Sequence, residues 1–321
     1  MVTGAAGFIG RAVAERLLGR GEPVIGVDSF TDYYDPALKE ARIATLAGHA
    51  GFSLERLDIA EAAAFADLVR RSGATRVVHL AAQAGVRYSI DHPFSYEHAN
   101  LLGHLSVLEA CRYAPGFRHL VYASSSSVYG ERPLGDRGFS EDDPAEAPVS
   151  LYAATKRSGE LMSAAYARLY GFPQSGLRFF TVYGPWGRPD MAIWGFTRKI
   201  LAGEPIEVFG GGAMSRDFTY IDDIVDGVVG VLDRPPAPGE ARILNIGGAQ
   251  PRGLTTLIAL LEQALGAAAR KILLPMQPGD VSATFADVSR LAGLTGYAAK
   301  VPLEIGLPRF VDWYRGFHAA G

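Results

Sequence analysis

Tyr152 and Lys156 lie four residues apart in Ser150-Leu151-Tyr152-Ala153-Ala154-Thr155-Lys156, a spacing that sets a phenol and an ammonium on one face of a helix. A cation beside a phenol favours the phenolate, which is a base. Tyrosine titrates near pH ~10, so a base for neutral pH needs about 4 kcal/mol of differential stabilisation, which a nearby cation and a second positive group could supply together. Such pairs also occur on solvated helix faces that do no chemistry, so this one is weighed with what the chain places around it. A run of hydroxyls comes first: Ala123-Ser124-Ser125-Ser126-Ser127-Val128-Tyr129-Gly130 follows an apolar strand over Phe117 to Ala123. Four serines at the carboxyl end of a strand are poor core material, and a plain turn rarely needs them all.

The beginning of the chain supplies a second kind of chemistry. Gly4-Ala5-Ala6-Gly7-Phe8-Ile9-Gly10 follows a short apolar start and opens a helical pattern through Ala12, Val13, Leu17 and Leu18. Three glycines in that context predict the strand, turn and helix that cradle a dinucleotide pyrophosphate, whose partner nicotinamide ring would be the second positive group near Tyr152. The apolar strand from Pro23 to Val27 ends in Asp28. A carboxylate there accepts from the adenosine ribose 2′-hydroxyl and repels a 2′-phosphate, so the cofactor is read as NAD and not NADP. Only Met1 to Thr3 precede the turn, where a buried strand normally takes about five residues, so the first strand is expected to be a stub.

These groups need a scaffold. Phe52 to Leu57 reads as a third strand ending in Asp58-Ile59, where the carboxylate either meets the adenine amino group or caps the helix after it. Arg76 to Leu80 reads as a fourth, running into Ala81-Ala82-Gln83, small enough for a ligand to lie against the backbone. A long helix over 93–113 carries Asn100, a polar loop covers 131–149, and a helix over 150–170 precedes a strand at 174–182. Alternating strands and helices predict an α/β fold with a parallel, doubly wound sheet and its ligand over the carboxyl ends of the strands. Beyond residue 183 the rhythm breaks into helix 190–202, strand 206–209, helix 222–232, strand 242–246, helix 254–265, strand 272–275 and helix 303–317. The expected division is therefore 1–182 for the dinucleotide and 183–321 for a smaller, interleaved substrate lobe.

Composition sets limits on the function. With 321 residues, 48% of them hydrophobic, the chain can bury a large core, and a formal net charge of −3 offers no basic field for nucleic acid or an anionic membrane. Its single cysteine, Cys111, excludes an intrachain disulfide, and the seven histidines show no metal spacing. No apolar run reaches membrane-spanning length, and no leader is evident, so a cytoplasmic location is expected.

Taken jointly, the glycines at 4, 7 and 10, Asp28, the serine cluster and Tyr152-x-x-x-Lys156 resemble the extended short-chain dehydrogenase/reductase family, whose fold is a Rossmann-type sheet. Asp32-Tyr33-Tyr34-Asp35, Ala82 to Tyr88, Ser124 to Gly130, Arg178 to Met191 and Met276 to Val281 are similar, within that family, to the UDP-glucuronate 4-epimerases. The resemblance runs along the whole chain. It implies tightly bound NAD that is reduced and re-oxidised in each turnover, with a 4-keto sugar that turns its other face before hydride returns. Tyr152 would be the base, Lys156 would hold the nicotinamide ribose and lower the Tyr152 pKa, and Ser125 would hydrogen-bond O4 of the sugar. The implied NAD contacts are Gly4, Gly7, Phe8, Ile9, Gly10, Asp28, Asp58, Ile59, Leu80, Ala81, Ala82, Asn100, Tyr152, Lys156 and Phe179. Arg87 joins the implied sugar-nucleotide set. Arg216 would take the diphosphate bidentately, Phe209 could flank the uracil, and Asp280 would take a ribose hydroxyl or orient Arg216.

A keto group at C4 beside a carboxylate on C5 makes a β-keto acid, which loses carbon dioxide when the carboxylate bond stands perpendicular to the carbonyl plane. Ser126, Ser127 and Thr181 are candidate donors that would hold the carboxylate out of that alignment. Arg188 is a candidate cation for it, or else forms a surface ion pair on its glycine- and proline-rich loop. Related dehydratases carry an Asp-Glu pair where Ser126-Ser127 stand, and UDP-glucuronate decarboxylases a glutamate where Ser127 stands, which argues against both activities. UDP-glucose 4-epimerase is the nearer alternative, usually with asparagine where Thr181 stands and without Trp186-Gly187-Arg188-Pro189. A non-catalytic NAD-binding regulator would be expected to have broken the Tyr/Lys pair or the glycine turn, and both are intact. By the same resemblance, helices 93–113 and 150–170 could pair across a two-fold axis in a homodimer.

Overall fold

The computed structural model describes residues 1–132, 138–277 and 281–319. Its strands, in chain order, are β1 Val2–Thr3, β2 Val24–Asp28, β3 Phe52–Arg56, β4 Arg76–His79, β5 His119–Ser125 and β6 Gln174–Phe179. There follow β7 Thr181–Tyr183, β8 Ile206–Phe209, β9 Ser215–Tyr220, β10 Ala241–Ile246, β11 Pro251–Gly253 and β12 Lys271–Leu274. Seven of them make one sheet in the order β10-β6-β5-β4-β1-β2-β3, and every pairing in it is parallel. Strand order turns back on itself between β1 and β4, the switch point at which a doubly wound Rossmann sheet opens a crevice for its ligand. β1 is only two residues long, as its sequence requires, but it lies inside the sheet with Val2 and Thr3 paired to both β2 and β4.

The sheet is buried because its faces are covered by amphipathic helices. Helix Phe8–Gly19 turns Val13, Ala14, Leu17 and Leu18 inward, and helix Ile221–Leu232 packs beside it with Ile224, Val225 and Val228 buried. On the other face, helix Ala62–Ser72 packs against helix Gly103–Tyr113 through Phe65, Leu68 and Val107. At about 2 kcal/mol for each large apolar side chain removed from water, these stripes supply the main driving force for the layers.

Two expected elements are subdivided. The strand expected over 174–182 breaks at Phe180, whose N–H donates to Ile246 O at 3.0 Å; β6 stays in the large sheet, while β7 leaves it to pair with β9. The helix expected over 93–113 is a relay of Pro93–Tyr96, a π-helical turn Glu97–Leu102 and Gly103–Tyr113. A π-turn costs regular hydrogen bonding and is held by side-chain contacts. Here Asn100 accepts from Gln83 N–H at 2.9 Å and donates to Gln83 O and Thr155 Oγ1, both at 3.0 Å. β10, at 241–246, closes the large sheet beside β6, so the second half of the chain completes the first. The remaining strands form two small sheets, β11-β9-β7 and β12-β8.

Candidate active site

The carboxyl ends of β1, β2, β3, β4, β5 and β6 open into a cavity of 610 Å³. Its wall contains Gly4, Gly7, Phe8, Ile9, Gly10, Asp28, Asp58, Ile59, Leu80, Ala81, Ala82 and Phe179, together with Ser125, Tyr152, Lys156 and Arg188. Residues separated by up to 184 positions thus meet in one space.

At the β1 end the glycines are a steric requirement. Gly4 has a φ of +70° and lies so close to the β4 loop that a Cβ there would meet Ala81 N at 2.7 Å. A Cβ on Gly10 would fall 1.9 Å from Gly4 O. Gly7 is the N-cap of helix Phe8–Gly19 and offers no side-chain cap, so the first amides of a 12-residue helix face the cavity wall, where an anion is favoured. Asp28 accepts from Ala6 N–H at 3.0 Å and Phe30 N–H at 2.9 Å, which fixes its carboxylate at the end of β2. These features fit a dinucleotide diphosphate and an unphosphorylated ribose.

Helix Leu151–Tyr170 starts at Ser150, whose hydroxyl accepts from Ala153 N–H at 3.1 Å. Tyr152 projects into the cavity one turn later, edge-on to Tyr96 with ring centres 6.0 Å apart. Burial pushes the Tyr152 phenol up, against the expected direction, while a hydrogen bond with Ser125 and the Arg188 charge pull it back. Lys156 donates to Ala123 O at 2.9 Å, and burial lowers its own pKa to about 8. The lysine thus locks the helix to the end of β5, and the chain alone does not make Tyr152 a phenolate at neutral pH. Ser125 accepts from Ser127 N–H at 3.2 Å and from Ser127 Oγ at 2.9 Å, which fixes its hydroxyl in the wall.

Several expected site residues lie outside this wall, and two within it, Asp58 and Arg188, are engaged by protein partners. Asn100 is buried behind the wall in the clamp on Gln83 and Thr155. Asp58 lines the cavity, but its carboxylate accepts from Ala60 N–H at 2.9 Å and pairs with His98 Nε2 at 2.9 Å, so it serves the turn before helix Ala62–Ser72. Ser126 and Ser127 form a short 3-10 turn beside the wall, and Thr181 sits on β7 opposite Phe218. The Arg87 guanidinium stacks on the Phe209 ring at 4.9 Å, which brings two expected nucleotide contacts together outside that wall. Arg216, on β9, donates to Val281 O at 2.7 Å and Ser282 O at 3.3 Å. Asp280 lies outside the described residues. Arg188 is chelated by Asp190, Nε to Oδ1 at 3.0 Å and Nη2 to Oδ2 at 2.5 Å, and Tyr33 donates to the same carboxylate at 3.0 Å.

A buried ion pair went unread in the sequence. Glu160, one turn beyond Lys156, is chelated by Arg178 with both contacts at 2.8 Å and accepts from Ser124 Oγ at 2.6 Å. It therefore ties the helix of Tyr152 to β5 and β6 directly under the serine cluster. The readable signal was a Tyr152, Lys156, Glu160 row at successive four-residue steps and a lone arginine in an otherwise uncharged strand.

The chain belongs to the NAD dependent epimerase/dehydratase family, whose sequence model matches residues 1–247. Among its relatives, a probable UDP-glucuronate 4-epimerase of Rhizobium meliloti (strain 1021) is 46% identical over 331 residues, covering 98% of this chain and 96% of the relative. UDP-glucuronate 4-epimerase 3 of Arabidopsis thaliana is 44% identical over 335 residues, covering 100% and 77%. The solved UDP-glucuronic acid 4-epimerase of Bacillus cereus, in complex with UDP-glucuronic acid and NAD, superposes with a TM-score of 0.92 at 36% identity, covering 98% of each chain.

Proposed function

We propose that the protein is an NAD-dependent isomerase that interconverts UDP-glucuronate and UDP-galacturonate through a transient 4-keto sugar. The observation that carries this reading is the wall itself: Ser125, Tyr152 and Arg188 face one cavity with the dinucleotide turn, the serine cluster contains no acidic residue to expel water or assist decarboxylation, and the carboxylate bonded to Ser124, Glu160, is chelated by Arg178. The relatives named for this activity support the substrate.

Bound NAD supplies an acceptor and donor of hydride for C4, and its positive ring adds the stabilisation that Tyr152 lacks on its own. Tyr152 takes the proton from the sugar 4-hydroxyl and returns it after the ring has turned. Ser125 donates to O4 as it becomes a carbonyl oxygen, where an uncharged donor does not alter the proton count. Lys156, fixed at the β5 terminus, holds the nicotinamide ribose. Arg188, with Ser126, Ser127 and Thr181 as further donors, keeps the sugar carboxylate out of the alignment that releases carbon dioxide. Arg216 takes the diphosphate, and the Arg87 and Phe209 pair flanks the base. The dinucleotide is thus held by residues 1–182, and the sugar nucleotide by both halves, with Arg188, Phe209 and Arg216 supplied from 183–321 and the groups around the sugar ring from 1–182.

Incubation with UDP-glucuronate, UDP-glucose and UDP-galactose separately, followed by chromatography and mass analysis, tests the reading. An isobaric product from UDP-glucuronate alone is expected; carbon dioxide release would move the protein to the decarboxylases, and water loss from UDP-glucose to the dehydratases. Tyr152→Phe should lower turnover by about 10³-fold while NAD stays bound, in the range for a lost general base.

A homodimer in the cytoplasm is part of the same proposal. Leu105 and Leu161 are exposed on the packed helices Gly103–Tyr113 and Leu151–Tyr170, which supports pairing of two copies through that face. No described helix is long and apolar enough to cross a membrane.

A further inference from the structure

Arg42 is a fully buried arginine with no carboxylate on any of its donors. Its five N–H groups go to three backbone carbonyls and a phenol: Nε and Nη2 to Trp186 O at 3.1 and 2.7 Å, Nη2 to Gly187 O at 2.9 Å, and Nη1 to Ala6 O at 3.1 Å and Tyr34 OH at 2.6 Å. A guanidinium has five donors, and all five are used. Burying a cation without an anion is costly, and here five hydrogen bonds to fixed groups offset that cost and hold the guanidinium in one geometry.

What it joins is informative. Ala6 belongs to the glycine turn, and its N–H is held by Asp28 while its carbonyl is held by Arg42. Trp186 and Gly187 immediately precede Arg188. Trp186 has a φ of +65°, a left-handed conformation that a bulky residue adopts only where its surroundings impose it. Two Arg42 bonds on its carbonyl and the packing of its ring on Trp313 and Phe317 impose it here. The neighbouring tyrosines bracket the same loop, with Tyr34 bonding Arg42 at one end and Tyr33 bonding Asp190, the partner of Arg188, at the other.

We infer that Arg42 is a positioning residue for sugar selection: by clamping the Trp186 and Gly187 carbonyls to the dinucleotide turn, it fixes the backbone from which Arg188 reaches the cavity. Preference for a sugar bearing a carboxylate then depends on a buried cation that never touches the sugar. This rests on the reading of Arg188 as the carboxylate partner.

The test is calorimetric binding of UDP-glucuronate and of UDP-glucose to NAD-loaded protein in a Tyr152→Phe background, where turnover does not confuse the titration. Arg42→Met should lower the preference for UDP-glucuronate by about tenfold, with UDP-glucose affinity within about threefold of the parent; Tyr34→Phe, which removes one bond from Arg42, should lower it by about threefold. In an Arg188→Ala background, neither substitution should change the ratio by more than about twofold, because the pathway through Arg188 is already cut. Equal weakening of both ligands, or a changed ratio without Arg188, overturns the inference and leaves Arg42 a structural residue. If Arg42→Met gives no cooperative melt, Tyr34→Phe decides by the same criteria. A parent with a ratio near one overturns the carboxylate reading and the inference with it, whereas a parent that prefers UDP-glucuronate and variants that keep that preference overturn the inference alone.

Discussion

The end of the cavity proposed for the dinucleotide is made where successive βα units of one sheet turn over, at residues 4, 7–10, 28, 58–59 and 80–82. The end proposed for the sugar is assembled from side chains on three separate pieces of chain, Ser125 at the end of β5, Tyr152 on helix Leu151–Tyr170 and Arg188 on the loop after β7, which no single element orients. Buried polar anchors hold the irregular segments of this half of the chain: Arg42 holds the 186–187 carbonyls just before Arg188, and Asp217, next to Arg216 on β9, accepts from Gly248, Ala249 and Ala286 amides at 2.9, 3.1 and 3.0 Å. The first construction couples ligand binding to the fold itself. The second lets a loop be re-aimed while the sheet stays whole.

Three substitutions probe that contrast. Gly10→Ala should have the largest effect, because its Cβ falls 1.9 Å from Gly4 O: about 3 kcal/mol of stability and the bound NAD should be lost together, read by urea unfolding and by NAD content. Retention of NAD with unchanged stability would break the claim that the turn is sterically fixed. Asp217→Asn keeps the size but turns one oxygen that accepts backbone N–H groups into a donor facing them, so about 2 kcal/mol of stability and, through the neighbouring Arg216 on β9, roughly tenfold in sugar-nucleotide affinity should go while NAD stays bound. Loss of NAD in that variant would erase the distinction between the two ends.

The smallest effect is a gain. Burial lowers the folded-state pKa of Lys156 to about 8, below its unfolded value, so the folded chain binds this proton more weakly than the unfolded one. Below pH ~8 the buried charge is an unfavourable contribution, and stability recovers as pH rises from about 8 towards 10.5. Lys156→Met should therefore raise Tm by a few degrees at pH 7, with the gain shrinking towards pH 10, in a calorimetric series. A loss of stability at pH 7 would mean that the bond to Ala123 O outweighs desolvation.

The same contrast decides what could be read in the sequence. The glycine turn, Asp28, the strand ends and the Tyr152 helix were legible because each is a local pattern, with glycine spacing, an apolar run and an i,i+4 pair. The parallel sheet followed from their alternation. Less legible was anything that depends on one side chain reaching a distant backbone. Asn100, expected as a cofactor contact, clamps Gln83 and Thr155, and Lys156, expected to hold the nicotinamide ribose and act on Tyr152, lines the cavity with its ammonium on Ala123 O. Arg42 gives no local sign of burial, since charged residues are normally read as surface, and Glu160 and Arg178 give only the faint one of a four-residue row and a lone charge in an apolar strand. Their partners lie up to 145 positions away.

The central claim is that hydride leaves C4 and returns to it with nothing else leaving the sugar. The direct measurement is turnover of UDP-glucuronate deuterated at C4, in ordinary water, with the product examined by mass and proton NMR. The account predicts UDP-galacturonate that keeps its deuterium at C4, with no carbon dioxide released. Loss of the label to solvent, or a product lighter by carbon dioxide, would contradict it.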